Sequence, residues 1–156
     1  MNNKVGVNQL MALFVSGAMA GIVSLIVSSV FYFFIIKNTV GSIVLVAVIE
    51  ETVKLAIIWI VLDLLNIDLG RLKMLRIIGA GIALGLGFGL FEWLLVVLKG
   101  DELTIAALAP VVIHVVSSWF ILIGVKFFIR NRTFRPMVAF WILAVSFHLF
   151  YNLVVI

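Results

Sequence analysis

The stretch AVIEETVKLAII, residues 47–58, places two adjacent glutamates and a lysine in the middle of an apolar run of about membrane-spanning length. On insertion scales, a charged side chain at the centre of a bilayer costs roughly 2.5–3.5 kcal/mol. Either this run lies outside a membrane, or Glu50, Glu51 and Lys54 face one another or a polar cavity. The composition of the whole chain distinguishes these alternatives.

The composition indicates an integral membrane protein. Of the 156 residues, 65% are hydrophobic and only 12% are charged, and the mean hydropathy is +1.37. A soluble domain of this size needs far more polar surface. The chain has no cysteine, which excludes disulfides, thiolate metal sites and cysteine nucleophiles. The net charge of +4 comes from basic residues in short loops, so we expect no nucleic-acid partner.

The apolar runs predict an all-α, polytopic transmembrane bundle that forms a single domain over residues 1–156. Each run is long enough for a helix to cross about 30 Å of hydrocarbon at about 1.5 Å per residue. Continuous helices are expected because lipid cannot satisfy an open sheet edge. The five predicted spans are approximately residues 10–36, 41–65, 75–98, 104–129 and 136–156.

The distribution of lysine and arginine predicts the orientation. With five spans, the N-terminus shares one side with the second and fourth loops, and that side holds Lys4, Arg71, Lys73, Arg76, Lys126, Arg130, Arg132 and Arg135. The opposite side holds only Lys37 and Lys99. Basic residues accumulate on the cytoplasmic side of membrane proteins. We therefore expect a cytoplasmic N-terminus and a C-terminus outside.

Seven charged, imidazole or amide side chains lie inside the predicted spans, away from the span ends, on the last four helices. They are Glu50, Glu51, Lys54, Glu92, His114, His148 and Asn152. Counted at about 1.5 Å per residue from the outer end of each span, all seven lie roughly 6–20 Å deep. They occupy one slab between the midplane and the outer surface, which predicts that they line one shared pocket.

A stripe of glycines on the third helix accompanies this pocket. Gly81, Gly85 and Gly89 follow one another at a spacing that lets helices approach closely in lipid. Glu92 and Phe88 project from the same stripe, so the glycines should bring a partner backbone close while Glu92 points toward it. A second small-residue face on the first helix, formed by Gly17, Gly21, Ser24 and Ser28, carries no charge and predicts packing alone.

Structural roles compete with functional ones at several of these positions. Glu50 and Lys54 are four residues apart and could form an interhelical lock, although Lys54 neutralises only one of the two adjacent carboxylates. His114 alone could be a hydrogen-bonded packing residue. Ser117 and Ser118 stand beside it, but no motif supports a serine–histidine dyad, and small hydroxyls pack well between helices.

Four motifs carry a resemblance to a known family. They are IEETVK at 49–54, GLGFGLFEW at 85–93, IHVVSSW at 113–119 and FHLFYN at 147–152. In this order they resemble the PrsW-type intramembrane proteases, relatives of the CAAX prenyl proteases and bacteriocin-processing enzymes (the CPBP family). The resemblance covers about residues 41–156 and implies that this part forms a four-helix protease-like core. Trp93, which follows Glu92, departs from the asparagine that such sequences often have.

The resemblance also implies roles for individual residues. One of Glu50 and Glu51 would activate a water molecule, with Lys54 in the place of the family's basic residue. His148 and Asn152 would stabilise the oxyanion. The implied substrate is a transmembrane or lipid-anchored protein, so the partners are that protein and membrane lipid.

The chemistry required for hydrolysis agrees with these residue types. Peptide hydrolysis needs a base that deprotonates water and donors aimed at the developing oxyanion. We expect a mechanism without a cofactor; the alternative is a zinc site with Glu92, His114 and His148 as ligands. The alternatives to a protease are a small proton- or cation-coupled carrier, in which the same side chains form a relay, and an inactive relative that binds membrane partners.

Overall fold

Within the described residues the chain forms five α-helices and no strand. A computed structural model describes residues 6–35, 40–100 and 108–155. The helices are α1 (Val7–Ile35), α2 (Val40–Leu64), α3 (Met74–Leu98), α4 (Ala109–Asn131) and α5 (Phe134–Val155). The prediction of an all-α bundle is confirmed. Three parts of the predicted spans, namely residue 36, residues 104–107 and residue 156, lie outside the described residues.

The surface of the bundle is that of an integral membrane protein. By length and apolar composition, α1, α3, α4 and α5 are each able to cross a membrane. The predicted span at residues 41–65 corresponds to α2, which has 25 residues, as α3 does, but is not among these four helices. Its charged residues set its composition apart. The Glu51 and Lys54 side chains are fully buried, whereas Leu98 and Phe150 are largely exposed. The Glu51–Lys54 pair therefore faces inward and large apolar side chains face outward, the arrangement that a bilayer requires.

All five helices contribute to one apolar core. α3 packs against α1 and α4, α4 packs against α5, and α2 lies between α1 and α5. The core takes one fully buried side chain from each helix, among others, namely Leu13, Ile58, Leu84, Ile121 and Ala144. This order places the inner face of α2 opposite α4 and α5.

The glycine stripe of α3 faces α4, as the sequence predicts. A Cβ atom on Gly85 would lie 2.6 Å from the His114 carbonyl oxygen and 2.6 Å from the Val115 nitrogen, and one on Gly81 would collide with the Trp119 ring. Only glycine permits this approach of two backbones. The close approach brings His114 of α4 beside the end of α3 that carries Glu92.

The small-residue face of α1 packs on the other side of α3. A Cβ atom on Gly17 would collide with the Leu84 backbone, and one on Gly21 would lie 2.6 Å from the Phe91 ring. Ser24, which belongs to the same predicted face, is also buried. The predicted packing role of Gly17 and Gly21 is confirmed.

A methyl group added to α3 should disturb the α3–α4 contact at Gly85 but not at Gly79. We expect Gly85→Ala to lower the free energy of unfolding by about 1–3 kcal/mol, because its Cβ meets backbone atoms that cannot rotate away. Gly79→Ala is the control, since a Cβ there meets nothing within 4 Å, and it should be neutral or stabilise by about 0.5–1 kcal/mol. Thermal unfolding of both variants in detergent checks this, and equal midpoints would contradict the assigned close approach.

The end of the bundle that holds the α2–α3 connection is tied to α4 by a lysine. The half-buried Lys126 ammonium donates to the carbonyls of Leu69, Gly70 and Leu72 at 3.2, 3.3 and 2.6 Å. This contact holds the short 3₁₀ turn at Leu69–Arg71 against α4. Lys4 and Lys37 lie outside the described residues, and the orientation derived from the basic residues stays a prediction.

Candidate active site

A buried lysine on α2 is the centre of the polar cluster. The Lys54 ammonium donates to Glu51 Oε1 at 2.7 Å and to Ser117 Oγ of α4 at 2.7 Å, and it lies 3.0 Å from His114 Nδ1. It also lies 4.7 Å from the centre of the Phe88 ring. Glu51 and Lys54 have side-chain exposures of 0%. From the sequence, Lys54 could pair with either Glu50 or Glu51. In the structure it pairs with Glu51, which precedes it by three residues.

His114 connects this lysine to α3. An ammonium has only donors, so Lys54 donates to His114 Nδ1, which must accept. The neutral ring then carries its proton on Nε2, and Nε2 donates to Glu92 Oε2 at 2.6 Å. The His114 ring packs on Phe88 with centroids 4.1 Å apart. The glycine stripe makes this possible, because it brings the His114 backbone against α3.

His148 of α5 reaches both glutamates of α2. Its Nδ1 lies 2.8 Å from Glu51 Oε1 and donates to it, while its Nε2 lies 3.4 Å from Glu50 Oε2. The His148 ring stands edge-on to the His114 ring, with centroids 4.9 Å apart. Six of the seven residues predicted from the sequence are thus linked in one chain, in the order Glu50, His148, Glu51, Lys54, His114, Glu92.

The two ends of this chain are its accessible part. The Glu92 side chain is 37% exposed and the Glu50 side chain 16%, against 0% for Glu51. Glu50 Oε2 is buried and has no hydrogen-bond partner among the described residues, although His148 lies within ion-pair distance. An acceptor oxygen next to a histidine nitrogen, on a side chain that is partly exposed, is suited to receive a proton from a bound molecule.

Asn152, the seventh predicted residue, stands apart from these contacts. It lies on α5 one turn beyond His148, is half-buried, and has no hydrogen bond to another described residue. Its amide donors are therefore not committed to any other described residue. The adjacent Tyr151 is close enough to Glu92 to feel its charge, a proximity that sequence reasoning missed because an aromatic residue near the end of an apolar helix is usual.

Ser117 was interpreted from the sequence as a packing residue, and the structure adds hydrogen bonds to that role. Its hydroxyl accepts from Lys54 and donates to the His114 carbonyl at 3.3 Å. The sequence spacing could have indicated this contact, because Ser117 is three residues after His114 and so shares its helical face. The adjacent Ser118 is also buried, but its hydroxyl has no partner among the described residues.

The residue types of this cluster suit a metal ion, but the hydrogen bonds of His114 leave it no free lone pair for one. One potential ligand atom from each of Glu50, His114 and His148 lies within 4.8 Å of the others, and a carboxylate with two imidazoles suits zinc. Glu92, which the sequence grouped with the histidines, binds His114 and is not in this set. The lone pair of His114 accepts from Lys54, so as arranged the histidine cannot also bind a metal.

The sequence matches one family over nearly its whole length. Residues 6–156 match the PrsW-protease family, described as "PrsW family intramembrane metalloprotease". No curated protein and no solved structure matches the chain. The relation to CAAX prenyl proteases stays a prediction from the motifs. The matched range contains all five helices and the whole polar cluster, so the chain belongs to the PrsW family of intramembrane proteases.

Proposed function

We propose that the protein hydrolyses a peptide bond of a membrane-embedded protein with a water molecule that Glu50 activates, without a metal ion. The observation that carries the proposal is the buried Glu50 Oε2, which has no hydrogen-bond partner among the described residues and lies 3.4 Å from His148 Nε2. Glu51 Oε2 likewise has no partner among the described residues. Glu51 is nevertheless the less suitable base, because its Oε1 accepts from both Lys54 and His148 and its side chain is fully buried, whereas that of Glu50 is 16% exposed.

The first step is attack by water. Glu50 takes a proton as the water oxygen bonds to the peptide carbonyl carbon, and the carbonyl oxygen becomes an oxyanion. His148 Nε2, once it carries the proton passed from Glu50, and the Asn152 amide are the donors that we assign to this oxyanion. Two observations support this assignment: the Asn152 donors have no acceptor among the described residues, and His148 lies beside Glu50.

The second step returns a proton to the leaving nitrogen. When the carbon–nitrogen bond breaks, the amine needs one proton, and we assign its delivery to Glu92 at the more exposed end of the chain. The buried contacts between the two ends are 2.8 Å from His148 to Glu51, 2.7 Å from Glu51 to Lys54, 3.0 Å from Lys54 to His114 and 2.6 Å from His114 to Glu92. As His148 Nε2 takes the proton from Glu50, His148 Nδ1 gives one to Glu51. One passes from Glu51 through the Lys54 ammonium to His114 Nδ1, and His114 Nε2 gives one to Glu92, which delivers it to the amine.

The site determines the class of substrate that we propose. The seven residues lie on α2 to α5, so we assign the chemistry to the four-helix core at about residues 41–156. Outward-facing apolar side chains surround the bundle, and a substrate must reach Glu50 and Glu92 from the lipid. A transmembrane segment, or a lipid-anchored segment drawn into the bilayer, fits this access. We expect the cut in the half of the bilayer near the start of α2.

Cleavage in reconstituted vesicles tests the proposal. Purified protein is incubated with a panel of single-span reporter proteins, and the products are mapped by mass spectrometry. We expect a defined cut that His148→Ala slows by about 10²–10³-fold, as for the loss of one oxyanion donor. Ser118→Ala is the matched control, because this buried hydroxyl has no partner among the described residues, and it should cut like the wild type.

The same vesicles distinguish the carrier. If no reporter is cut, and proton or cation flux appears that Glu51→Gln abolishes, the buried chain is a transport relay and hydrolysis is wrong. Absence of flux together with a mapped cut supports the protease.

A further inference from the structure

The hydrogen bonds of Lys54 account for all of its protons. An ammonium group has three N–H donors and no acceptor. Lys54 has three partners at 2.7, 3.0 and 2.7 Å, which are Glu51, His114 and Ser117. Its side chain is fully buried, and Phe88 lies over the charge. The side chains of Glu51, His114 and Ser117 therefore fix the position of the ammonium group.

This arrangement uses the single lone pair of His114. A neutral imidazole has one nitrogen that accepts and one that donates, and only the accepting nitrogen can bind a metal. In His114 the accepting nitrogen is Nδ1, which faces the ammonium, and Nε2–H is committed to Glu92. A metal at His114 must therefore displace Lys54. The ammonium and a divalent cation compete for the same electron pair.

The other two potential ligands are already spaced as a metal site requires. His148 Nε2 and Glu50 Oε2 are 3.4 Å apart, close to the separation of about 3.3 Å between two ligands of a tetrahedral zinc ion with bonds of about 2.0 Å. His148 Nδ1 donates to Glu51, the kind of carboxylate contact that orients zinc-binding histidines. These two ligands are fewer than the three protein ligands of catalytic zinc sites, and His114 is the third.

We propose that the Lys54 ammonium occupies the cation position of this cluster and keeps a divalent metal out, so that its removal turns Glu50, His114 and His148 into a zinc site. The inference concerns the same residues as the proposed function and deepens its metal-free mechanism. It is tested by metal content, so it stands or falls without any cleavage assay. The description of the family as a metalloprotease leads to the opposite expectation, that the wild-type protein binds a metal.

Zinc content of four variants tests the inference. Wild type, Lys54→Leu, Lys54→Arg and the double variant Lys54→Leu/His114→Ala are produced with added zinc, purified in detergent and dialysed against a weak chelator. Zinc per chain is measured by plasma mass spectrometry. We expect no stoichiometric zinc in the wild type or in Lys54→Arg, which keeps the charge, and about one zinc per chain in Lys54→Leu. The double variant should lose that zinc because it lacks the third ligand.

A cobalt spectrum checks the geometry of the new site. Cobalt added to Lys54→Leu should give the visible absorption of a tetrahedral ion, and cobalt added to the wild type should not. If Lys54→Leu is not folded, Lys54→Met removes the charge and every N–H donor with a side chain of similar length. Stoichiometric zinc in the wild type that His114→Ala removes would overturn the inference. A folded, uncharged variant that binds no zinc would overturn it equally.

Discussion

Glu50→Gln is expected to slow cleavage by about 10²–10⁴-fold, the usual contribution of a general base, and to leave the fold unchanged. Glutamine has the same size but cannot take the proton from water. The stability should stay at the wild-type value because Glu50 Oε2 has no hydrogen-bond partner among the described residues. Initial rates on one reporter, with thermal unfolding of the same preparations, measure both quantities.

Glu51→Gln is the matched variant for this prediction, because it changes the adjacent carboxylate in the same way. Glu51 accepts from Lys54 and His148 in a fully buried setting, so removing its charge leaves the Lys54 ammonium without its carboxylate. Breaking a buried pair by changing one partner commonly costs about 3–5 kcal/mol. We expect a lower unfolding midpoint for Glu51→Gln and an unchanged one for Glu50→Gln. A Glu50→Gln protein that cuts at the wild-type rate would reassign the base.

Glu92→Gln is expected to separate two kinds of substrate. Cleavage of a peptide bond should fall by about 10²–10⁴-fold, because the leaving amine no longer receives a proton from this end of the chain. An activated ester has a leaving group that departs as a stable anion and needs no such proton. Its hydrolysis should therefore persist in Glu92→Gln and disappear in Glu50→Gln.

The comparison requires the same membrane segment with either an amide or an activated ester at the mapped cut. Rates for wild type, Glu50→Gln and Glu92→Gln are measured on both substrates in the same vesicles. Equal losses on amide and ester in Glu92→Gln would mean that Glu92 acts at the attack step or holds His114 in place. The hydrogen bond of 2.6 Å between Glu92 and His114 would then be its main contribution.

Several features of the fold and the cluster could be predicted because they depend on spacing alone. Helix length and apolar composition predict the five helices, and the spacing of Gly81, Gly85 and Gly89 predicts a close helix partner on the side of Glu92. Both are confirmed. A periodic backbone converts sequence spacing into angle and depth, so the meeting of residues from four helices follows from the sequence with little further information.

The pairing within the cluster could not be predicted in the same way. Lys54 is near enough along α2 to pair with either Glu50 or Glu51, and the choice of Glu51 depends on where α4 places His114 and Ser117. Likewise, Glu50 and not Glu92 lies with the histidines as a potential ligand, because Glu92 reaches only the far nitrogen of His114. These contacts depend on the distances between side chains of different helices, which cannot be derived from a single sequence.

The cleavage rate of zinc-free protein tests the central claim most directly. Wild type and Glu50→Gln, both stripped of metal by exhaustive chelation and verified by mass spectrometry, are placed in vesicles with a reporter, and the products are followed over time. A metal-free, Glu50-driven hydrolase predicts a defined cut by the stripped wild type, its loss in Glu50→Gln, and no gain when zinc is added. An inactive stripped wild type whose cutting returns with zinc would contradict this mechanism.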